Sequence, residues 1–354
     1  ANVVKRILRH SDPETRKSIN EILKYPDDST GSIMTTEFVD LKATMTVEDA
    51  LKRIRRTGPD KETINICYVI DDQRHLLGLL SIRTLLLAED DDIIDDIMEH
   101  HIISVHTLDD QESTARVLSK YDFLALPVVD TENRLVGIVT VDDAMDVLQE
   151  EVTEDIELMA AILPGDKPYL KTGVLETWKA RTPWLLVLML SATFTGIILT
   201  HFENALAACD ILTSFIPMLS GTGGNSGTQA STAVIRALSL GELRFSDLPR
   251  VIWKEFRVSI TCGLCLAAAN FVKMMVVDRW LMHNPAVTPL VALVVCTTLV
   301  GTVMCAKLVG CSLPLLAKKL HFDPAVMASP FISTIVDSLS LLIYFRFASL
   351  FLGL

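Results

Sequence analysis

The 354-residue chain carries 44 acidic and 32 basic residues, a net charge of −12, and half of its residues are apolar. A positive mean hydropathy together with 21% charged residues excludes one uniform soluble domain, because charge and apolarity must be segregated along the chain. Residues 1–170 hold 35 acids against 18 bases, a net of −17, and residues 171–354 hold 9 against 14, a net of +5. An acidic soluble half therefore precedes a membrane half, and no nucleic-acid partner is expected of so acidic a chain.

The first thirty residues are charged and polar, unlike a cleavable signal peptide, so the expected insertion signal is the first apolar span. Beyond them the soluble half repeats itself at an offset of 59 residues. "YVIDDQRHLLGLLSIRTLL" from Tyr68 matches "PVVDTENRLVGIVTVDDAM" from Pro127, with Asp71 on Asp130, Leu76 on Leu135, Gly78 on Gly137 and Ser81 on Thr140. Each copy reads as strand, polar turn, strand and helix. Each is preceded by a helix candidate, "TVEDALKRI" (46–54) and "DDQESTARVLSKY" (109–121), opened by residues common at helix starts.

This pattern resembles a tandem pair of cystathionine-beta-synthase (CBS) domains, which implies clefts able to hold an adenosine nucleotide. In such domains an acid shortly after the Ser/Thr meets the ribose. Here Asp142 and Asp143 follow Thr140, whereas Arg83 and Thr84 follow Ser81, so one ribose site at most is complete. Arg83 is the alternative phosphate contact, with Tyr68 or Phe123 beside the base; the rival reading is an exposed arginine next to core aromatics.

From Asp142 to Leu163 runs "DDAMDVLQEEVTEDIELMAAIL", whose Met145, Leu148, Val152, Ile156 and Met159 recur as one apolar face. Asp143, Asp146, Glu150, Glu154 and Glu157 recur at the same spacing elsewhere on the helix, and like charges at i,i+4 destabilise it by a few tenths of a kcal/mol per pair. "AEDDDIIDDIMEH" (88–100) adds seven acids, so this half repels itself unless cations intervene. Carboxylates without thiolates or clustered imidazoles favour magnesium or calcium over zinc.

Five uncharged or nearly uncharged stretches follow, 183–200, 211–235, 258–272, 284–306 and the run around Asp337, each of spanning length alone or with its neighbours. Lys and Arg cluster before the first, between the second and third and between the fourth and fifth; the loop 201–210 has none. This predicts a cytoplasmic acidic half and an outer C-terminus. The seven cysteines predict no disulfide framework, and Cys262 and Cys265 read as packing residues. Lys307 interrupts the fourth run, to snorkel or to meet a partner, while Gly301 and Gly310 read as packing positions.

The second span contains "PMLSGTGGNSGTQASTAVIRALSLGEL" (217–243), too rich in Gly and polar residues to face lipid. With "DPAVMASPFISTIVD" (323–337), and with the order CBS pair, acidic helix, five spans, the chain resembles the MgtE family of magnesium channels along its length. The expected fold is therefore multi-domain, an α/β tandem CBS module followed by an all-α, five-span transmembrane domain. The expected limits are 1–30 for the end of an N-terminal helical domain, 31–141 for the CBS pair (31–90 and 91–141), 142–168 for the connecting helix and 169–354 for the membrane domain. On this resemblance the chain is a cut-short or naturally short form of such a protein.

The resemblance implies a homodimer in the cell membrane, with a pore on its two-fold axis lined by spans two and five. Asp337 would meet Mg²⁺ there, beside Asn225, Gln229 and Ser329. It further implies a cytosolic Mg²⁺ sensor at Asp110, Glu112, Asp122, Asp143, Asp146, Glu151, Glu154, Asp155 and Asp323, which closes the pore. ATP at the CBS pair would involve Tyr68, Arg83, Phe123 and Asp142, and other divalent cations are candidate substrates. An enzyme is not expected, because the eight histidines include no H-E-x-x-H. The alternatives are a Mg²⁺/Na⁺ carrier and a membrane-anchored nucleotide sensor that transports nothing.

Overall fold

The computed structural model describes residues 19–353 except 21, 166, 204–206, 208 and 328, with the side chains of 327 and 329 also outside the description. Most of the expected N-terminal remnant, 1–18, thus lies outside the described residues. The chain divides into two compact units, Ala1–Val152 and Thr153–Leu354.

The first unit contains one small motif twice. Strand β1 (Val39–Leu41) runs parallel to β2 (Ile66–Ile70), which pairs antiparallel with β3 (Leu76–Ser81). The second copy repeats this with β4 (Val105–His106), β5 (Ala125–Val129) and β6 (Leu135–Thr140). Even the irregularities recur: the register slips between Val69 and Ile70 and again between Val128 and Val129. Helices α1 (Val47–Thr57), α2 (Ile82–Leu87) and α3 (Gln111–Lys120) cover the sheets. Thr46, Ser81 and Asp110 cap them by accepting hydrogen bonds from the amides of Asp49, Thr84 and Ser113. Between the copies Phe38, Tyr68 and Ile70 pack on Ala125, Leu135 and Ile138. Cys67 is fully buried in β2, and burial pushes its thiol up to about 12, which removes it from redox chemistry at neutral pH.

The aspartate shared by the repeats builds the hairpin turn. Asp71 Oδ1 accepts from the amides of Gln73 and His75, both at 2.8 Å, and Asp130 Oδ1 from those of Glu132 and Arg134, both at 2.9 Å. These bonds hold Arg74 and Asn133 at positive φ, 69° and 60°, a cost offset by the closed turn.

The helix after β6, α4, spans Val141–Met159 and ends four residues before Leu163. Ala161 takes φ 55°, its amide bonds to the Leu158 carbonyl and the Ile162 amide to that of Glu157, a left-handed stop with Pro164 beyond it. The expected apolar face holds only in part, at Leu148 and Met159, which pack partly buried. Ala144 and Val147 are the buried positions, whereas Met145, Val152 and Ile156 stand 65%, 48% and 58% exposed. The helix leaves β6 without a loop, so its first turns must lie with their small residues against the sheet.

The second unit is helical: α5 (Val174–His201), α6 (Ile216–Ser239), α7 (Leu248–Lys273), α8 (Pro289–Lys319) and α9 (Ser329–Leu352). Four described regions are long and apolar enough to cross a membrane, Val174–His201, Phe245–Leu281, Pro289–Lys319 and Pro330–Leu352. The remaining expected span, the second, is helix α6, preceded by a 3₁₀ turn at Asp210–Phe215. Its composition is too polar to qualify; it buries ten residues on the side toward α8 and α9 and leaves the face of Gly221, Asn225 and Gln229 exposed. Helix α8 has 31 residues, about 46 Å, and forms the bundle's centre.

The approach of α6 to α8 is backbone on backbone. A Cβ at Gly310 would overlap the carbonyl of Gly227, and one at Gly227 would stand 2.7 Å from Ile332 and 3.2 Å from the Ala306 carbonyl. One turn away Lys307 is 5% exposed, and its Nζ lies 3.9 Å from Glu255 Oε2 of α7. The lysine meets a partner rather than snorkelling. Removing one member of such a pair strands a buried charge.

Two predictions follow from these contacts. The His75 ring bonded to Asp71 holds that carboxyl below the usual range; at Asp130 burial acts upward, yet the bonds from Arg134 and Glu132 hold it below as well. A depressed carboxyl contributes stability above its unfolded value near 4 and loses it as pH falls through the folded value. Asp71→Asn/Asp130→Asn should therefore flatten the acid limb of thermal stability between about pH 5 and 3; an unchanged limb counts against these turns. Lys307→Met should lower stability by about 3–5 kcal/mol, and Lys307→Met/Glu255→Leu should recover most of it. Melting curves in detergent check this, and equal losses in the single and double variants would contradict the pairing.

Candidate functional site

Asp337 sits two turns into α9, half-buried, and the Ser220 side chain of α6 hydrogen-bonds to it. The two helices run antiparallel along a seam of small residues. A Cβ at Gly224 would stand 3.2 Å from Ser333 Oγ, and one at Gly223 would crowd Thr302, Val336 and Ser340. Small side chains let the helices close until their hydroxyls line the contact. Asn225 and Gln229 lie one turn apart on the exposed side of α6, in line with exposed Gly221. Ser329 opens α9, with its side chain outside those described. Ser220 and Glu255 were missed as site residues in the sequence. Ser220 lies within the same polar run, and a carboxylate one span away from a lone lysine was the available signal for Glu255.

The acids expected to sense the ion are distributed. Asp110 caps α3, Glu112 pairs with Arg116, and Asp122 is exposed at φ 55°. On α4 Asp143 accepts from the Thr140 hydroxyl at 2.7 Å, Glu151 accepts from Gln111 Nε2 at 3.1 Å, and Asp146 and Glu154 are exposed. In the second unit Asp155 accepts from the Ser239 hydroxyl at 2.9 Å, near the place where Leu158 and Met159 pack on Ile235 and Ala325. Asp323 accepts from the amide of Ala325 at 2.7 Å. Among the described residues no three His, Cys, Asp or Glu side chains gather into a ready metal cage. The donor set is nevertheless all carboxylate oxygen, which suits a hard divalent cation that keeps much of its water.

The first unit contains a cavity of about 540 Å³, whose lining includes Ser81, Thr84, His101, Phe123 and Pro127. Of the four residues expected at a nucleotide, Phe123 alone lines it, stacked on Tyr121 at 5.5 Å. Arg83 is exposed beside Ser81 and Thr84. Tyr68 is corrected: it is fully buried, packed edge-on against Phe38 at 6.0 Å, its hydroxyl without a partner among the described residues. The repeat explains this. Tyr68 is the counterpart of Pro127 and Asp142 that of Arg83, so the four residues divide between two equivalent places, and aromatic packing involving Tyr68 and Phe38 occupies the one opposite the cavity. Asp142 stays exposed there, and hydrogen bonding with the Thr140 side chain and nearby amides holds its carboxyl below the usual range.

Residues 216–347 match the MgtE family, described as a divalent cation transporter, and residues 31–91 and 94–150 each match the CBS domain. The magnesium transporter MgtE of Thermus thermophilus is 42% identical over 341 residues, 96% of this chain and 74% of that protein. Its counterparts in Enterococcus faecalis and Bacillus subtilis are 38% and 37% identical, over 96% and 98% of this chain and 72% and 74% of theirs. A solved structure of the cytosolic domain of the Mg²⁺ channel MgtE in complex with ATP is 45% identical over 40% of this chain and 58% of that one, with a TM-score of 0.40. With such identity to transporters, rather than enzymes, along almost all of its length, the chain belongs to the MgtE family of magnesium transporters.

Proposed function

We propose that the chain forms a Mg²⁺-selective channel of the cell membrane, built from two copies and closed by cytosolic Mg²⁺. The observation that carries this reading is Asp337, a carboxylate two turns inside a membrane-length helix and hydrogen-bonded to the polar helix α6. A carboxylate in a span costs several kcal/mol unless it is paired or wet, and so marks an ion path. Related by a two-fold axis, two such acids would face each other beside Asn225, Gln229 and Ser329. A hydrated Mg²⁺ is well suited to that place, since it surrenders water reluctantly and is satisfied by outer-sphere hydrogen bonds to carboxylates and carbonyls.

In this reading the acidic half is cytoplasmic and the C-terminus outside, as the distribution of Lys and Arg supports. Asp110, Glu112, Asp122, Asp143, Asp146, Glu151, Glu154, Asp155 and Asp323 bind the same ion from the cytosol. Carboxylates carrying a net of −17 over residues 1–170 repel one another when the ion leaves, which loosens the module and opens the pore. One ion preferring the closed state tenfold contributes about 1.4 kcal/mol, and several add. An adenine nucleotide such as ATP in the cavity beside Phe123 would bias the same balance, with Ser81 and Thr84 for its polar groups and Arg83 for its phosphates.

Asp337→Ala is expected to abolish Mg²⁺ uptake into liposomes while the protein stays dimeric; undiminished uptake would sink the pore assignment. Asp143→Asn/Asp146→Asn/Glu154→Gln should keep the channel open at millimolar Mg²⁺ in patch recordings, where ordinary closure would refute the sensor. Unitary currents in the same recordings distinguish a channel from a carrier.

A further inference from the structure

Helix α9 carries a second charge, Arg346, nine residues after Asp337. That interval is about 13 Å along the axis and half a turn around it, so the two charges point to opposite sides. Arg346 lies six residues from the end of α9 and within the membrane-length segment Pro330–Leu352. It is exposed and has neither ion pair nor hydrogen bond among the described residues. One turn before and one turn after it on that face stand apolar side chains: Leu342 is 44% and Leu350 72% exposed.

The guanidinium borders a groove of about 430 Å³ lined by Phe202, Leu342, Ile343, Phe345 and Phe347, with Ser349 as its other polar group. Phe202, at the end of α5, stacks on Phe345 at 4.6 Å and 15°, which gives the groove a rigid aromatic wall. A permanently charged group on a membrane helix is costly until it meets an anion or reaches the interface, and this chain supplies no described carboxylate for it. One apolar trough with one cation at its rim, close to a helix end, has the chemistry of a lipid tail below and its phosphate above.

We propose that this groove binds one anionic phospholipid, its phosphate on Arg346 and an acyl chain along Phe202, Leu342 and Phe347. The charge complementarity selects an anionic lipid over a zwitterionic one, and the apolar walls select a lipid over free phosphate. The lipid would also neutralise a cation on the helix that carries Asp337. The site stands on its own, whichever way ions cross the protein.

The test uses the full chain in mild detergent, washed free of native lipid, then mixed with phosphatidylglycerol or phosphatidylcholine and weighed intact by native mass spectrometry. The chain should retain phosphatidylglycerol about tenfold better than phosphatidylcholine, a difference near 1.4 kcal/mol. Arg346→Gln should erase that preference and Arg346→Lys keep most of it, while Leu342→Trp, which fills the trough, should lower retention of both lipids. Equal retention of the two lipids, or a preference that survives Arg346→Gln, overturns the proposal. So does displacement of phosphatidylglycerol by millimolar inorganic phosphate, which would reduce the site to an anion contact. If instead Arg346→Gln changes the oligomeric mass and leaves lipid retention unchanged, a second copy of the chain covers the groove and the lipid assignment falls.

Discussion

Everything in the membrane half depends on how closely α6 can approach α8. With Gly227 and Gly310 in contact, backbone meets backbone, and a helix too polar to face lipid on every side buries its Gly- and Ser-rich side against protein. That burial brings Ser220 to Asp337 and Gly224 to Ser333. A larger side chain at this crossing would separate the helices by the width of a methyl group, and the polar seam with α9 would lose its register. Packing density and the placement of the Asp337 carboxylate are here a single constraint.

Ionisable side chains in the bundle illustrate three answers to one cost. Asp337 takes a hydroxyl from the neighbouring helix and remains half-buried. Lys307 is buried and faces Glu255 across 3.9 Å, so two charges share one low-dielectric site. Arg346 has no described partner and lies at the rim of an apolar groove near a helix end. Each placement follows from position along the span: deep charges need protein partners, while a charge near the end can use lipid or water.

The CBS pair shows how far a sequence repeat extends into geometry. The offset of 59 residues reproduces strand order, the register slip and the left-handed turn residue, because an aspartate accepting two turn amides dictates the same hairpin wherever it occurs. The repeat does not make the two clefts equal. Tyr68 packs on Phe38 in the core, whereas its counterpart Pro127 lines the open cavity, and one aromatic substitution is enough to break the pseudo-symmetry.

The sequence by itself determined the division into an acidic α/β half and a helical membrane half, the repeat with its caps and turns, the spans and the unusual carboxylate. These rest on local patterns, periodicity, turn chemistry and runs of apolar residues, whose physics acts over a few neighbours. Tertiary structure decided the rest. That Ala144 and Val147 rather than Met145 and Val152 enter the core, that Lys307 finds Glu255, and that Tyr68 is buried while Phe123 lines a cavity all depend on residues far apart in the chain. No local pattern encodes which side of a helix its neighbours will cover, because that is settled only when several elements pack at once.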